Sequence, residues 1–399
     1  MKFDNTNIIK NKDVFSDIYT PRKIIGRKKE IKDVEYHMSF LFRENPVLDS
    51  MSIYGMSGTG KSLIIDYMLN ELINRYNEVK NKFKGYKLKV IRMKGSDVYT
   101  KYKVLKRIYR ELFSTEPSNT KDLHDEIINF LKRNKYYIYI FLDEIHEFDK
   151  KELNRVIYML SRFAEDIKYS RNNSQQGLGD NDHCYVGYII ISNDASIKNK
   201  LNSNTKSTFQ FAEQIVFNKY NAEEIFEILK ARINEGGLNK NTITDSNIRL
   251  ISALSADEGD ARYAIHLLSS SAKLSEKKGK SEIKENVIKE SNESLRVNLL
   301  QKILDDLNLL ETEVLYYIYK LHKEKKMVTT GSVYEEMKLE KKEENMVSIN
   351  RISQIVSDFI KNNVAYKGRT GGRGNTRRLD IGENLEVIEN FIQRRGYGD

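Results

Sequence analysis

The sequence predicts an α/β fold in which a parallel sheet is flanked by helices, with a small helical lid and a C-terminal winged-helix domain. The first observation is a glycine loop, GMSGTGKS at 55–62, between an apolar run and a helical pattern. The second is a pair of apolar runs, 136–142 and 186–191, typical of parallel strands buried on both faces. The third is a pattern of three helices and a glycine-rich hairpin after residue 294.

Composition favours a globular protein of two or three domains. Of the 399 residues, 39% are hydrophobic and 31% charged, which argues against disorder. The apolar runs are too short to span a bilayer, and the N-terminus has no apolar segment typical of export. One cysteine, Cys184, excludes an internal disulfide and fits a reducing cytoplasm, so we expect a cytoplasmic protein without a membrane partner. The net charge of +10 permits a polyanionic partner.

A phosphate-binding loop is the clearest chemical signal. Gly55, Gly58 and Gly60 let the backbone turn its N–H groups toward an anion at a helix N-terminus. Lys61 would reach the β- and γ-phosphates, and the Ser62 hydroxyl would ligand Mg²⁺. A glycine turn before a helix cap is the alternative, but the flanking strand and helix favour nucleotide. The predicted loop contacts are Gly55, Met56, Ser57, Gly58, Thr59, Gly60, Lys61, Ser62 and Leu63.

Four polar residues at predicted element ends complete the predicted site. Buried carboxylates are costly unless they hold a cation or position water. After the strand 136–142, Asp143 would hold Mg²⁺ through water and Glu144 would polarise the attacking water; an acidic helix cap is the alternative. Asn193 ends the next strand and could contact the γ-phosphate or that water. Arg262 opens a helix and could reach the nucleotide from the lid.

Apolar spacing and helix breakers predict the other elements. The predicted strands are 51–54, 87–93, 136–142, 186–191 and 209–217. Helices are predicted behind Gly26, over 62–81, 101–113 and 123–133, after the caps Asp149 and Asn221, and through 246–290. Residues 1–19 are predicted to be a polar lead-in with one apolar patch, Val14-Phe15, and 170–183 an exposed loop.

The last hundred residues predict a DNA-binding domain. Helical stripes include Leu310, Val333, Leu339 and Ile349, and short strands bracket KGRTGGRGNTRR at 367–378. Arginines among glycines can approach phosphates and enter a minor groove, whereas a solvated hairpin tip is the alternative. The predicted DNA contacts lie on the third helix and the hairpin: Ser348, Asn350, Arg351, Gln354, Lys367, Arg369, Arg373, Arg377 and Arg378.

These segments, in their order, resemble the AAA+ ATPases. More narrowly, they are similar to the archaeal initiator family related to the origin-recognition and cell-division-control proteins. The resemblance covers nearly the whole chain and rests on YTPRKIIGRKKEI, GMSGTGKS, FLDEIHEFD, IISNDASI, VFNKYNAEEI and GDARYAIHLL. It implies that 55–62 is Walker A, Asp143 and Glu144 Walker B, Asn193 sensor 1 and Arg262 sensor 2.

The resemblance also implies domains and ligands. Residues 1–218 would form the AAA+ core, 219–293 its helical lid, and 294–399 the winged-helix domain. The implied cofactors are ATP or ADP with Mg²⁺, and adenine would lie near Ile25, Gly26, Arg27 and Tyr220. In this family an insertion between Walker B and sensor 1 contacts DNA; here the segment 170–183 has Arg171 as its one basic residue.

One segment departs from the family pattern. After sensor 1 the family commonly has Arg-Val-x-Ser, whose arginine serves the ATP of a neighbour. This sequence has Asn204-Thr205-Lys206-Ser207 instead. An asparagine cannot neutralise phosphoryl charge, and a lysine is a point charge rather than a fork. The sequence therefore indicates slow hydrolysis, or use as an ATP-held clamp.

Together these features predict an ATP-binding replication initiator that binds duplex origin DNA through its winged helix and AAA+ module and hydrolyses ATP slowly with Mg²⁺. A protein bound to DNA in this way would be nucleoid-associated. The resemblance implies a related initiator subunit and the replicative helicase, which it would help to load, as partners. One alternative is a nucleotide-gated transcription regulator with little ATPase activity. Another is a motor whose winged helix binds protein, which predicts no protected site on duplex DNA.

Overall fold

The protein divides into two compact units, Met1–Glu285 and Asn286–Asp399. The structure, a computed structural model, describes residues 8–117, 122–169, 184–194, 196–209, 213–257, 259–340, 347–368 and 378–397. No helix within these ranges is long and apolar enough to cross a membrane.

A five-stranded sheet forms the centre of the first unit. Its strands are β1 (Met51–Gly55), β2 (Lys87–Lys94), β3 (Tyr136–Asp143), β4 (Tyr185–Ser192) and β5 (Glu213–Phe217). The order across the sheet is β2-β3-β4-β1-β5, and all neighbours are parallel. This confirms the predicted parallel sheet, and it brings the ends of β1, β3 and β4 to one edge.

Ten helices of the first unit lie within the described residues. They are α1 (Lys28–Ser39), α2 (Lys61–Val79), α3 (Lys101–Phe113), α4 (Leu123–Arg133), α5 (Lys150–Tyr169), α6 (Ile197–Lys200), α7 (Ser203–Phe209), α8 (Ala222–Arg232), α9 (Asp245–Ala256) and α10 (Ala261–Lys277). The predicted caps are confirmed: Asp149 Oδ1 accepts hydrogen bonds from two backbone N–H groups of α5, and Asn221 forms a capping box with Glu224.

The predicted strand over 209–217 is wrong at its start. Residues 203–209 form α7, and β5 begins only at Glu213. The side chain of Asn202 explains the helix, because its Oδ1 accepts a hydrogen bond from the backbone N–H of Thr205 at 2.8 Å. An asparagine that caps a helical turn there overrides the weak strand preference of the polar segment.

The two faces of β3 pack against different helices. Ile138, Ile140 and Leu142 belong to a core shared with α3, α4 and α5. Tyr139 and Phe141 belong to the opposite core, which includes apolar residues of α1 and α2. Because strand residues alternate between faces, Asp143 follows Phe141 on the α2 side of the sheet. The carboxylate therefore faces the helix that begins at the glycine loop.

Ile8 and the apolar patch Val14-Phe15 pack into the first unit, whereas residues 10–13 and 16–18 are exposed, as a polar lead-in would be. Ile8, Val14 and Phe15 are buried. The backbone N–H of Ile8 donates to Glu276 Oε1 on α10 at 2.7 Å, and its carbonyl accepts from Asn239 N at 2.9 Å. These contacts connect Ile8 to α10 and to the segment between α8 and α9, in the helical region α8–α10 that forms the lid.

The second unit has the predicted winged-helix arrangement. Its elements are α11 (Glu285–Asp305), α12 (Leu309–Lys323), α13 (Thr330–Glu340), α14 (Ile349–Lys361), β6 (Tyr366–Lys367), β7 (Leu379–Asp380) and α15 (Leu385–Arg394). β6 and β7 are antiparallel, and Thr329 forms a further bridge with Arg378. The predicted domain boundaries, 218/219 and 293/294, stay a prediction; α11 is continuous through 293.

Two residues placed in the apolar stripes of this unit are exposed. Leu339 is 81% exposed and Ile349 is 46% exposed. Leu339 lies only two residues after the buried Met337, about 200° around the helix, so it cannot share that face. Ser348 is the N-cap of α14, so Ile349 is the first helical residue, and the buried stripe begins at Ile352.

Gly55→Ala is expected to destabilise the first unit by about 2–3 kcal/mol. A Cβ at this position would lie 2.4 Å from the carbonyl oxygen of Phe217, so β1 and β5 would have to separate. Gly85→Ala is the control: φ is +85° there and nothing lies within 4 Å of the added Cβ, so only backbone strain of about 1 kcal/mol is expected. Urea unfolding of the full chain measures both; equal losses would contradict the close approach.

Candidate nucleotide-binding site

A buried lysine lies at the centre of the glycine loop. Lys61 is 5% exposed, and its Nζ donates hydrogen bonds to the carbonyl oxygens of Gly55 and Met56 at 2.7 and 2.6 Å. Burial lowers the pKa of Lys61 to about 8, against the opposing effect of the Asp143 carboxylate. Among the described residues no carboxylate forms an ion pair with this lysine. A buried cation held only by carbonyl groups suits an anionic ligand.

The lid contacts the loop at two glycines. Gly58 has φ +70°, and its carbonyl accepts a hydrogen bond from the backbone N–H of Ala261 at 3.2 Å. A Cβ on Gly58 would lie 1.8 Å from Oδ1 of Asp260, and one on Gly60 (φ +86°) would lie 2.6 Å from the hydroxyl of Tyr220. An added Cβ would collide with the lid at both positions, so glycine is needed for space as well as for conformation. The two glycines therefore allow the lid to pack directly against the loop.

Asp143 and Glu144 lie at the end of β3 in different environments. Asp143 is buried, and its Oδ1 accepts a hydrogen bond from the backbone N–H of Glu144 at 2.8 Å. Glu144 has left-handed backbone angles (φ 56°, ψ 41°), and Ser96 Oγ donates to its Oε2 at 3.4 Å. A left-handed non-glycine residue costs about 1 kcal/mol or more, and such strain clusters at functional sites. The turn separates a buried carboxylate from a more accessible one.

Asn193 lies beside the same turn. Its Nδ2 is 3.3 Å from Nε2 of His146, and its backbone N is 3.5 Å from Nδ1 of the same ring. His146 belongs to the short helix that follows Glu144. The contact therefore connects the end of β4 to the end of β3.

Arg27 contacts the glycine loop and the residues before the lid, but it does not line the cavity. Its side chain is buried, with Nε donating to the carbonyl of Thr59 at 3.2 Å and Nη2 donating to the carbonyl of Asn218. The guanidinium lies 3.8 Å from the ring centre of Tyr220 and also bonds Glu30. Arg27 thus links α1, the loop and the start of the lid through contacts within the protein.

A cavity of about 620 Å³ joins most of the predicted site residues, and its size suits a small-molecule ligand. The predicted residues that line it are Ile25, Gly58, Gly60, Lys61, Ser62, Leu63, Asp143, Glu144, Asn193, Tyr220 and Arg262. The predicted residues outside the lining are Gly26, Arg27, Gly55, Met56, Ser57 and Thr59, all of them described. The cavity therefore brings the predicted metal and catalytic residues together with the second half of the predicted phosphate loop, from Gly58 to Leu63 without Thr59.

Part of the cavity wall comes from residues that the sequence did not predict to be there. Tyr19 and its neighbours in the N-terminal segment line one end, together with Ile228, Arg232 and Ile265 of the lid. Tyr19 is positioned at long range, because its hydroxyl donates to Glu235 Oε2 at 2.8 Å. The apolar pair Val14-Phe15 was the one local signal that this segment packs against something.

The predicted DNA contacts of the second unit are partly within the described residues. Ser348, Asn350, Arg351, Gln354 and Lys367 are exposed, as predicted. Ser348 caps α14 by accepting from Arg351 N, and Arg351 Nη1 donates to Gln354 Oε1 at 3.0 Å. Arg378 is half-buried at the start of β7. Arg369, Arg373 and Arg377 lie outside the described residues, as does the segment 170–183.

Comparisons with known proteins agree with this architecture. Residues 226–293 match the Cdc6 AAA+ ATPase-type lid domain, and residues 30–169 match the NB-ARC domain. The chain is similar to the solved ORC1 protein of Aeropyrum pernix in complex with DNA, with a TM-score of 0.73, 22% identity and coverage of 98% of both chains. It is also similar to Cdc6p of Pyrobaculum aerophilum, with a TM-score of 0.58, 18% identity, and coverage of 97% of this chain and 99% of that one. These likenesses show the fold.

Sequence relatives show the family. An ORC1-type DNA replication protein of Thermococcus kodakarensis is 26% identical over 97% of this chain and 91% of that relative. ORC1-type DNA replication protein 1 of Methanosarcina acetivorans is 30% identical over 83% of this chain and 76% of its own length. The lid, the glycine loop and this relationship together place the chain in the family of ORC1-type DNA replication proteins, which are AAA+ ATPases.

Proposed function

We propose that this ORC1-type protein binds ATP or ADP with Mg²⁺ in the cavity of its first unit and duplex origin DNA with its second unit. The proposal that the cavity binds nucleotide rests on the burial and the contacts of Lys61. This lysine is a buried cation whose Nζ is held by two loop carbonyls and lies close enough to Asp143 for that carboxylate to raise its pKa. Such a cation beside a carboxylate suits a phosphate–metal ligand.

Each residue of the site has a proposed task. Lys61 contacts the β- and γ-phosphates, and Ser62 and Asp143 hold Mg²⁺. Bound Mg²⁺ supplies neutralising charge to the phosphates. Glu144 accepts a hydrogen bond from the attacking water, and its position in the turn after β3 leaves its side chain accessible. Asn193 orients the water or the γ-phosphate, and Arg262 contacts the nucleotide from the start of α10.

Hydrolysis is proposed to be slow. Asn204 lies on α7 where the resemblance implies an arginine that serves a neighbouring ATP. This residue also favours the second candidate, a nucleotide-gated transcription regulator that barely hydrolyses ATP. The two candidates differ in phosphate release by the purified chain on origin DNA: complete lack of turnover favours the regulator.

The DNA-binding proposal rests on the face of α14. Its polar residues Asn350, Arg351 and Gln354 are exposed, whereas Ile352, Ile355 and other apolar residues are buried on the opposite side. A helix of this kind can enter a major groove. The solved Aeropyrum pernix ORC1 protein, which has the same fold, was determined in complex with DNA. A related initiator subunit and the replicative helicase are proposed as further partners.

We further propose that the chain divides into an AAA+ core (1–218), a lid (219–293) and a winged-helix domain (294–399). The match of the lid family to residues 226–293 supports the middle segment. Ile25, Gly26, Arg27 and Tyr220 are proposed to surround adenine, with Arg27 acting through its contacts with Thr59 and Tyr220.

Replacing Arg373 and Arg377 with glutamine is expected to weaken binding to duplex origin DNA. Each lost phosphate contact should reduce the slope of log affinity against log salt by about one unit. Arg394→Gln is the control, because Arg394 lies on α15 of the same unit with its Nη2 3.6 Å from Asp305 Oδ1. An unchanged slope in the double variant would show that these two arginines do not contact DNA phosphates. If the purified full chain bound neither ATP nor duplex DNA, the proposed function would be wrong.

A further inference from the structure

The cavity extends past Ser62 along α2 to the edge strand β2. Six residues line this extension, and none belongs to the glycine loop or to the carboxylate pair of β3: Asp66, Arg92, Lys94, Asp97, Val98 and Arg107. Three of these side chains are cations and two are carboxylates, so the six together carry a positive charge, beside the carboxylates of Asp143 and Glu144. An anionic group that projects beyond the loop would encounter that charge.

Strand pairing places Arg92 on the same side of the sheet as Asp143. In the parallel register of β2 and β3, Arg92 lies opposite Phe141 and Lys94 lies opposite Asp143. Paired residues share a face, and so do residues two apart along a strand. Arg92 and Lys94 are therefore both on the α2 side, where Asp143 is proposed to hold the metal.

Two side chains of α2 hold the guanidinium of Arg92. Its Nε donates to Asp66 Oδ1 at 3.2 Å, and its Nη2 donates to Asn70 Oδ1 at 2.9 Å. Ser62, Asp66 and Asn70 are spaced by four residues and share one face of α2, with about 6 Å between successive side-chain positions. Asp66 therefore positions Arg92 one helical turn beyond the serine proposed to ligand Mg²⁺.

The pKa of Asp66 depends on both Arg92 and Asp143. Burial raises the pKa of Asp66, the Arg92 guanidinium lowers it, and the Asp143 carboxylate raises it. The side chain of Arg92 is 37% exposed, so it is accessible to a ligand in the cavity. Within the described residues its Nη1 atom has no hydrogen bond, which leaves one edge of the guanidinium available. An arginine fork with a free edge suits a phosphate oxygen.

We propose that Arg92, positioned by Asp66 and Asn70, is a further nucleotide-binding residue that makes the cavity prefer a nucleoside triphosphate to a diphosphate. The inference rests on the proposed nucleotide site. ATP carries one more negative charge than ADP, and Arg92 attracts that charge, whereas Asp66 reduces the attraction. The two members of one ion pair therefore have opposite effects on selectivity, which a purely structural salt bridge would not have.

The test compares the dissociation constants of the full chain for Mg·ATP and Mg·ADP by calorimetry. Arg92→Gln is expected to lower the preference for ATP about fivefold to tenfold, chiefly through weaker ATP binding. Asp66→Asn, which keeps the shape of the side chain, is expected to raise the same preference several-fold. Arg92→Lys retains the charge and is expected to keep most of the preference.

Arg155→Gln provides the matched control. Arg155 is a half-exposed arginine of α5 whose Nη1 lies 2.6 Å from Glu152 Oε1, and it does not line the cavity. Its replacement should leave the preference unchanged. The inference would be overturned if Arg92→Gln and Asp66→Asn changed the preference for ATP over ADP in the same direction. It would also be overturned if Arg92→Gln weakened the binding of ATP and ADP equally. Failure of the unmodified chain to bind either nucleotide would refute the site itself, and the inference with it.

Discussion

Lys61→Ala is expected to lower ATP affinity at least about a hundredfold, equivalent to about 3 kcal/mol of binding free energy. The substitution removes a buried cation whose Nζ is held by the carbonyl groups of Gly55 and Met56. Fluorescence titration with a labelled ATP analogue, followed by displacement with ATP, measures the loss.

The folding of this variant is checked separately. Burial lowers the pKa of Lys61, which means that the charged side chain is destabilising in the folded protein without a ligand. Removal of this cost offsets the loss of the hydrogen bonds to Gly55 and Met56, so Lys61→Ala should unfold within about 4 °C of the unmodified chain. Lys240→Ala, at an exposed lysine of the first unit, is the control for charge alone. Unchanged ATP affinity in Lys61→Ala would refute the assignment of the loop.

Glu144→Gln is expected to abolish most ATP hydrolysis while leaving ATP binding nearly unchanged. A general base contributes about 10²–10⁴ to the rate, so single-turnover phosphate release should fall at least about a hundredfold. Glutamine keeps the size of the side chain and the hydrogen bond from Ser96 Oγ, but it cannot accept a proton from water. Radiolabelled phosphate release and calorimetric ATP binding, on the same preparations, separate the two effects.

Glu147→Gln is the matched control for this experiment. Glu147 is an exposed carboxylate three residues along the chain, and its Oε1 lies 3.5 Å from Nε2 of His146. It does not line the cavity, so hydrolysis should be preserved. If Glu144→Gln hydrolysed ATP at the unmodified rate, Glu144 would have no catalytic role. If it lost ATP binding as well, its role would be in binding the metal or nucleotide.

Local patterns were sufficient to predict the parallel sheet and the phosphate loop. β3 and β4 are short, continuously apolar and followed by polar residues, a combination that depends only on neighbouring residues. The predicted helix over 62–81 is α2 with an additional turn of 3₁₀ helix at Lys80–Phe83. Asp149 and Asn221 were predictable as caps because capping bonds span only two or three residues.

The predictions that were wrong come from weak local signals. The strand predicted over 209–217 was too long at its start, because residue 209 belongs to α7, whose first turn is capped by Asn202, and β5 begins at Glu213. Ile349 was placed in a buried stripe because the start of α14 could be fixed only once Ser348 was seen to cap it. Ile349 has the spacing of the buried stripe, but as the first residue of α14 it is 46% exposed, whereas Ile352, three residues later, is buried.

By itself, the sequence determined which residues could bind phosphate and metal, because glycine spacing, a lysine–serine pair and carboxylates after a buried strand are local chemical facts. Only the tertiary structure decided which other residues share that cavity. Tyr19 is held at the cavity by a hydrogen bond to Glu235, 216 residues away in sequence. Arg92 is held there by a hydrogen bond to Asp66, 26 residues away. Such pairings depend on the packing of distant elements and on the need to satisfy buried charge, which no local pattern encodes.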